Sequence, residues 1–260
     1  MGSMKLKLRQ NGLITGTWIT IASTAVAEIL CQAGFDWIAI DMEHSPITFS
    51  EAQELIRTID LCGKIPAVRV GENNEYLIKN VLDAGAQAIV VPMVNSREEA
   101  EAAVRAVKYP PAGRRGVGLA RAQKYGFGFG EYKEWNERES VVVVQIEHIS
   151  AVGNLKGILE VGGIDATFVG PYDLSGSLGH PGDFERPEFV QAIAEYEALS
   201  KEHGMPMGYH IGPPDAKLAE EKIASGYRLL TVSSDAMFMG QKCRETLAGI
   251  HSCKLDENIL

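Results

Sequence analysis

The sequence has little cysteine and no long apolar stretch, and each shortage excludes a class of protein. The four cysteines, Cys31, Cys62, Cys243 and Cys253, have neither zinc-finger nor redox-motif spacing. We therefore expect reduced thiols and a cytoplasmic location. The longest apolar runs are only as long as strands, which predicts that no helix spans a membrane.

Basic charge is also scarce, which argues against nucleic acid and anionic membranes as partners. The formal net charge is −9, and Arg114 with Arg115 is a pair of cations rather than a patch. Residues 1–3 resemble a vector-derived extension and lack the apolar core of a signal peptide. Hydrophobic residues make up 45% and charged residues 23% of the chain, as in ordinary globular proteins. We expect residues 1–260 to form one domain.

Eight short apolar runs, each followed by an amphipathic segment, organise the chain. The runs are Thr15–Thr20, Asp36–Asp41, Pro66–Val70, Gln87–Met93, Val141–Glu147, Asp165–Gly170, Pro206–Ile211 and Arg228–Ser233. Their apolar residues are continuous rather than alternating, which is typical of parallel strands buried on both faces. Eight strand–helix pairs predict an α/β fold, a single (β/α)8 TIM barrel. The alternative, an open doubly wound sheet, lacks a GxGxxG motif after its first strand.

Helices are predicted between the runs, with one interruption. They are Ser23–Ala33, Ser50–Leu61, Glu75–Ala84, Ser96–Val107, a helix opened by Ser150, Pro187–His203, Pro214–Ser225 and Asp235–Ile250. Residues 110–136, after the fourth strand–helix pair, are rich in glycine and aromatic residues and show no strand pattern. This segment predicts a long loop with a role in function or at an interface.

Two carboxylates stand where the active site of a TIM barrel forms, at the C-terminal ends of strands. Glu147 ends the fifth run, and Asp173 follows the sixth. Hard oxygen ligands from neighbouring strands, completed by water and substrate, suit Mg²⁺ or Mn²⁺. Both residues also stand just before helices, so a role limited to helix capping is the alternative.

Gln145 and Arg69 are polar residues in otherwise apolar runs. Gln145 lies two residues before Glu147 and therefore points to the same interior face. It binds either the substrate or a structural partner, and taken alone the structural role is favoured. Arg69 must be paired if it is buried. Arg69 either forms a structural ion pair or binds a keto or carboxylate oxygen of the substrate. Its place at a strand end favours the role in substrate binding.

Two histidines follow strand ends. His44 stands close to Asp41 and Glu43, and a histidine near carboxylates is a tunable base around neutral pH. His210, near the end of the seventh run, is the weaker candidate. The turn at Gly170–Gly176 offers backbone N–H groups near a helix start, where a carboxylate can bind.

Apart from His210, these residues lie in motifs that resemble the HpcH/HpaI family of metal-dependent class II pyruvate aldolases. Members of the family act on 2-oxo acids such as 4-hydroxy-2-oxoheptanedioate and 2-dehydro-3-deoxyglucarate. The resemblance extends from about Gly12 to Ala248. The motifs are IDMEHSP (40–46), PAVRV (66–70), LDAGAQAIVVPMV (82–94), YPPAGRRGVG (109–118), VQIE (144–147) and VGPYDLSGSLG (169–179).

The resemblance implies roles for the candidate residues. Glu147 and Asp173 would bind the divalent metal, with Mg²⁺ or Mn²⁺ expected and Co²⁺ possible. Arg69 would stabilise the enolate, and His44, supported by Asp41, would transfer protons. The resemblance also implies a homohexamer in which Asp83 approaches the histidine of a neighbouring subunit and raises its basicity. The 2-oxo acid would contact Gln145, Gly170, Tyr172 and Asp173.

The implied reaction is reversible aldol addition of a pyruvate enolate to an aldehyde. The alternatives are an oxaloacetate decarboxylase, an acyl-CoA lyase and a non-catalytic barrel that binds a 2-oxo acid. The lack of a basic site for coenzyme A phosphates argues against an acyl-CoA lyase. The intact metal, arginine and histidine positions argue against a non-catalytic barrel. Tyr172 replaces the alanine usual in the family, and His210 lies outside the usual pattern, so the acceptor aldehyde stays open.

Overall fold

The eight predicted strands form a closed parallel barrel in the order β1 to β8. The structure is a computed structural model that describes residues 3–252, so Cys253 and residues 1–2 lie outside the described part. The predicted TIM barrel is confirmed. The strands are β1 (Ile14–Ile19), β2 (Trp37–Asp41), β3 (Ile65–Arg69), β4 (Ala88–Val91), β5 (Val141–Ile146), β6 (Ala166–Val169), β7 (Met207–Ile211) and β8 (Leu229–Ser234).

Twelve α-helices lie between and around the strands within the described residues. None of them is both long enough and apolar enough to cross a membrane. The helices are α1 (Met4–Arg9), α2 (Thr24–Gln32), α3 (Phe49–Leu61), α4 (Glu75–Ala84), α5 (Arg97–Val107), α6 (Phe129–Glu139), α7 (Ile149–Gly153), α8 (Leu155–Leu159), α9 (Pro171–Ser177), α10 (Pro187–Glu202), α11 (Ala216–Ala224) and α12 (Asp235–Ser252).

The segment predicted as one loop over residues 110–136 is partly helical. Helix α6 begins at Phe129, so that prediction is wrong at its C-terminal end. Within α6, Tyr132 and Asn136 are buried and stand four residues apart, which places them on the same face of the helix. The preceding part is irregular apart from a 3-10 turn at Lys124–Gly126.

The barrel interior is filled by alternate residues of the strands. In β2, Trp37 and Ala39 belong to the interior cluster, whereas Ile38 and Ile40 pack toward the helices. A Cβ at Gly16 would lie 1.9 Å from the Trp37 ring, so β1 has room only for glycine there. Met4 and Leu8 of α1 join the interior cluster, which places α1 across the N-terminal end of the barrel.

The first and last strands close the barrel directly. Ile14 pairs with Leu229 at one end of the ladder and Trp18 with Ser234 at the other. Beyond the ladder, the Asp235 carboxylate accepts hydrogen bonds from the backbone N–H groups of Thr20 and Ile21 and from the Thr20 hydroxyl. This contact holds the C-terminal ends of β1 and β8 together at the end of the barrel where strand-end side chains converge.

Candidate active site

A cavity of about 210 Å³ opens at the C-terminal ends of the strands. It brings together most of the residues that the sequence nominated, although they come from distant parts of the chain. Glu147 does not itself line the cavity but contacts Gln145, which does, and Asp83 does not line the cavity of its own chain. The lining residues are Trp18, Thr20, Asp41, His44, Arg69, Gln145, Phe168, Gly170, Pro171, Tyr172, Asp173, His210, Ser234 and Met237.

Glu147 is a buried carboxylate, 2% exposed, directly after β5. Its Oε1 accepts a hydrogen bond from the Met93 backbone N–H at 2.6 Å, and its Oε2 accepts one from Gln145 Nε2 at 2.7 Å. Met93 has a left-handed backbone (φ 52°), a conformation that non-glycine residues rarely adopt. Helix α7 is capped by His148 instead. The carboxylate is therefore oriented by Met93, in the segment after β4, and by Gln145, and helix capping does not account for it.

The surroundings of Glu147 disfavour its charge. Burial is the main cause that raises the pKa of its carboxyl to about 7. The nearby charges of Glu43 and Asp173 contribute to this rise, whereas the hydrogen bond from Met93 opposes it. A Cβ at Gly170 would lie 2.7 Å from Glu147 Oε2, so the backbone that enters α9 can pass this close only as glycine. Asp173 follows in the first turn of α9.

Arg69 is held by two carboxylates and an aromatic ring. Its Nε and Nη2 donate to the two oxygens of Asp41 at 3.0 and 2.7 Å, and its Nη1 lies 3.1 Å from Glu43 Oε2. The guanidinium carbon stands 4.5 Å from the centre of the Trp18 ring. Burial opposes the charge, but the hydrogen bonds and charge of Asp41 outweigh it and raise the pKa of Arg69. Arg69 thus takes part in buried ion pairs and also places a positive charge on the cavity wall.

His44 lies at the rim, and its side chain is 63% exposed. Its Nε2 is 3.9 Å from Glu43 Oε2. Asp41 accepts hydrogen bonds from the backbone N–H groups of His44 and Glu43, at 3.2 and 3.0 Å. Its carboxylate therefore positions the turn that carries the histidine, and Glu43 is the acid that faces the ring.

The donor set fits a hard divalent cation. The carboxyl groups of Asp41, Glu43, Glu147 and Asp173 interact with one another and with the Arg69 guanidinium, and their mutual repulsion contributes to the raised pKa values of Glu43 and Glu147. Gln145 Oε1 is buried without a hydrogen-bond partner among the described residues. Within residues 3–252 no group of three or more His, Cys, Asp or Glu side chains forms a ready metal cluster. Two carboxylates would supply the protein ligands and leave the remaining positions to water and substrate oxygens.

Several residues of the site escaped the sequence-based selection. Trp18 and Thr20 at the end of β1, Phe168 of β6, and Ser234 and Met237 after β8 line the cavity. The rule that strand ends form the site, applied to the first and eighth runs, would have found Trp18, Thr20 and Ser234.

His210 is a polar member of the cavity wall whose ring is fixed by Trp18. Trp18 Nε1 donates a hydrogen bond to His210 Nδ1 at 3.0 Å. Burial, with the charge of Arg69, lowers the pKa of His210 to about 4. The ring is therefore neutral near pH 7, and its low basicity argues against its use as the base.

Asp83 takes part in a buried contact that anchors the segment after α5. Its Oδ1 accepts hydrogen bonds from Arg115 Nη2 at 2.5 Å and from Gln123 Nε2 at 3.0 Å. The Arg115 guanidinium is fully buried and lies 4.7 and 5.2 Å from the ring centres of Tyr109 and Tyr132.

We expect Arg115→Met to lower the free energy of unfolding by about 3 kcal/mol, because removal of one partner of a buried ion pair leaves the charge of the other, Asp83, without its partner. Arg114→Met is the matched control. Arg114 pairs with Glu75 at the surface, where such a pair contributes at most about 1 kcal/mol. Urea unfolding monitored by circular dichroism measures both variants. Equal losses would show that the Arg115–Asp83 pair contributes no more than a surface contact.

Comparison with known proteins relates the chain to a family of aldolases. The family model described as HpcH/HpaI aldolase/citrate lyase matches residues 15–239. A 2-dehydro-3,6-dideoxy-6-sulfogluconate aldolase from Pseudomonas putida is 38% identical, over 97% of this chain and 98% of its own. A hydroxypyruvate/pyruvate aldolase from Sagittula stellata is 40% identical, over 89% and 91%.

A solved structure of an HpcH/HpaI aldolase/citrate lyase family protein from Burkholderia cenocepacia superposes with a TM-score of 0.91. It has 34% sequence identity and covers 96% of this chain and 99% of its own. The names of the relatives confirm the prediction of an enzyme, a carbon–carbon lyase. On the match across its barrel and the identity to these aldolases, the chain belongs to the HpcH/HpaI aldolase/citrate lyase family.

Proposed function

We propose that the chain is a divalent-metal-dependent aldolase that forms and cleaves 4-hydroxy-2-oxo acids through the enolate of pyruvate. The observation that carries the proposal is that the Glu147 carboxyl group interacts with both Asp173 and the buried Arg69 guanidinium, two residues that line the cavity at the C-terminal ends of the strands. A cation site beside a fixed guanidinium can stabilise negative charge on a keto oxygen, which enolate formation requires.

Each group has a defined task in this scheme. Glu147 and Asp173 would hold Mg²⁺ or Mn²⁺, with Co²⁺ as a further candidate. A bound divalent cation would supply Lewis-acid stabilisation of the charge that develops on the keto oxygen. Arg69 directs its guanidinium at the same oxygen, and the Gln145 amide and the backbone from Gly170 orient the 2-oxo acid.

Proton transfer falls to the rim of the cavity. His44 accepts the proton of the aldol hydroxyl during cleavage and returns it during addition. Its exposed ring is within reach of an incoming aldehyde, and Glu43, 3.9 Å away, stabilises the ring when it is protonated. Asp41 acts as a positioning residue, because its carboxylate holds both Arg69 and the turn at His44.

The role that the family resemblance gives to Asp83 requires a second subunit, so we propose a homo-oligomer, a hexamer by resemblance. Exposed apolar side chains near Asp83 support burial against another copy: Val117 and Leu119, 61% and 60% exposed, flank Gly118, where a Cβ would lie 2.7 Å from Asp83 Oδ2. Cys31, Cys62 and Cys243 are free thiols, in keeping with the proposed cytoplasmic location.

The names of the relatives support a 2-oxo acid as the substrate. They include a sulfogluconate derivative aldolase, hydroxypyruvate/pyruvate aldolases and a 2-keto-3-deoxy-L-rhamnonate aldolase from Klebsiella pneumoniae. Each name contains a 2-oxo acid, and the rest of the named compound differs from one relative to the next.

Exchange of the pyruvate methyl protons tests the proposal without knowledge of the aldehyde. In heavy water, we expect the methyl signal of pyruvate to disappear with Mg²⁺ or Mn²⁺ and to persist with excess chelator. Proton NMR follows both reactions. Exchange that continues at full rate in chelator contradicts the metal requirement. No exchange with any metal, in folded protein and with an aldehyde panel present, contradicts enolate chemistry altogether and favours a barrel that only binds.

A further inference from the structure

A second cavity, of about 750 Å³, lies at the N-terminal end of the barrel, opposite the candidate active site. It opens where β6, β7 and β8 begin, and α1 and the C-terminal end of α10 border it. The chain as a whole carries a net charge of −9, yet this cavity is rich in positive charge. Five basic side chains line it, Lys5, Arg9, Lys108, Lys201 and Arg228, against two carboxylates, Glu137 and Asp165.

Two of these lysines are buried, although a single carboxylate forms an ion pair with them. Lys5 and Lys108 are 4% and 6% exposed. Lys5 Nζ lies 3.1 Å from Asp165 Oδ2. Lys108 Nζ instead donates to uncharged groups, among them the Asn136 carbonyl oxygen and the Ser140 hydroxyl, both at 2.7 Å. A buried ammonium group without an anion beside it is costly, so the protein alone leaves this cluster short of negative charge.

The pKa of Lys108 reflects this shortage. Burial is the main cause that lowers it to about 8, and the charge of Lys5 and a hydrogen bond with Lys5 lower it as well. The charges of Asp165 and Glu137 oppose the shift without cancelling it. An anion bound next to the two lysines would favour the charged form of both.

Two arginines add donors to the same cavity. Arg228 is oriented by backbone carbonyl oxygens, including that of Asn11 at 3.1 Å, which leaves its Nη2 without a hydrogen-bond partner among residues 3–252. Arg9 stands four residues after Lys5 on α1 and therefore on the same face of the helix. The N–H groups of a guanidinium match the oxygens of a phosphate group, which they bind in pairs.

The distribution of ion pairs indicates the charge of the missing ligand. Lys5 pairs with Asp165, and Lys201 pairs at 3.5 Å with Glu197, which lies outside the cavity lining. The other three cations, Arg9, Lys108 and Arg228, form no ion pair with any residue of the described part of the chain. This excess suits a dianion, and the volume has room for a small organic group attached to it.

We propose that the cavity binds a phosphate dianion, either as the free ion or as the phosphate group of a small phosphomonoester, between α1 and the N-terminal ends of β6, β7 and β8. The buried ammonium groups of Lys5 and Lys108 supply charge, and Arg9 and Arg228 donate to the phosphate oxygens. The ligand links α1 to the start of β8, so its binding stabilises the closed N-terminal end of the barrel. The site lies at the end of the barrel opposite the proposed aldolase site, so the two proposals can fail separately.

Isothermal titration calorimetry of the full chain, with inorganic phosphate and with glycerol 3-phosphate, tests the proposal. The pH is kept just above neutral, and sodium chloride holds the ionic strength constant. We expect saturable binding of one anion per chain. Arg9→Gln should weaken it about tenfold, because the variant loses a charged donor to the ligand. Lys7→Gln makes the same change of charge on α1 and is the matched control, because Lys7 lines a different cavity and pairs with Asp36.

Arg228→Gln is an independent variant on the other side of the ligand and should weaken binding at least as much, with circular dichroism as the check of the fold. Thermal unfolding is a second readout, in which phosphate should raise Tm less in Arg9→Gln than in Lys7→Gln. The general effect of phosphate on stability is common to both variants. Saturable binding of either anion with this pattern supports the proposal and identifies the preferred form of the ligand. Equal affinities in Arg9→Gln and Lys7→Gln, or no saturable binding of either anion, would overturn it.

Discussion

Glu147→Ala is expected to abolish turnover, by at least about a thousandfold, while the barrel stays folded. The change removes one of the two proposed metal ligands, and Lewis-acid stabilisation is worth several kcal/mol, with each tenfold in rate equal to about 1.4 kcal/mol. The Met93 N–H and the Gln145 amide lose their acceptor, at a cost of about 1–3 kcal/mol each. Loss of a buried carboxylate from an acidic cluster offsets part of that cost. Exchange of pyruvate protons measures turnover, and circular dichroism checks the fold.

A second readout separates metal binding from catalysis. Free Mn²⁺, followed by its paramagnetic resonance signal, should fall on addition of wild-type protein and stay unchanged with Glu147→Ala. Asp173→Ala should behave in the same way. Glu160→Ala removes a surface carboxylate that pairs with Arg97 and should retain both binding and activity. Full activity in both Glu147→Ala and Asp173→Ala would eliminate the metal assignment.

Arg69→Ala is expected to reduce the rate constant for pyruvate exchange by about a hundred- to a thousandfold at saturating pyruvate. Removal of one fixed donor to a developing oxyanion has an effect of this size in other enzymes. The orientation of the guanidinium is already fixed, because Asp41 binds it through two nitrogens and Trp18 packs against its face. Since its contribution grows as charge develops, kcat should fall more than KM rises.

Two further variants distinguish a catalytic role for Arg69 from a structural one. Arg69→Lys keeps the charge but not the planar fork that binds both oxygens of Asp41, so we expect an intermediate rate. Arg97→Ala removes an arginine that forms ion pairs at the surface and should leave the rate unchanged. A near-normal kcat in Arg69→Ala, with lowered thermal stability, would reduce Arg69 to a structural ion pair.

The sequence predicted the barrel well because its strands are continuous apolar runs that no other element of the chain resembles. Short helices were harder. Helix α1 (MKLKLR) alternates leucine and lysine as a strand does, and its packing across the barrel end is a tertiary contact. Helix α9 has only seven residues and includes a glycine, and α6 follows a glycine-rich stretch.

The placement of the candidate residues was predictable where position along a strand determines the direction of a side chain. Glu147, Gln145 and Arg69 follow from the two-residue period of a strand and the rule for barrel ends. Contacts across the barrel could not be predicted, such as Trp18 with His210, which are 192 residues apart in sequence. The contact of Glu43 with Arg69 depends on the path of the turn after β2, which residue types alone do not specify.

The pairing of β1 with β8 has a consequence for the order of events during synthesis. Until residue 234 has left the ribosome, β1 has no neighbour on one side, and its N–H and C=O groups form an open sheet edge. Such edges, in a fold whose closing contact joins residues more than 200 positions apart, are where nascent chains associate wrongly. The Asp235 carboxylate, which binds the N–H groups of Thr20 and Ile21, emerges directly after β8. Strand β8 and the carboxylate that stabilises its pairing with β1 therefore leave the ribosome together. The barrel can close as soon as these residues are available for pairing.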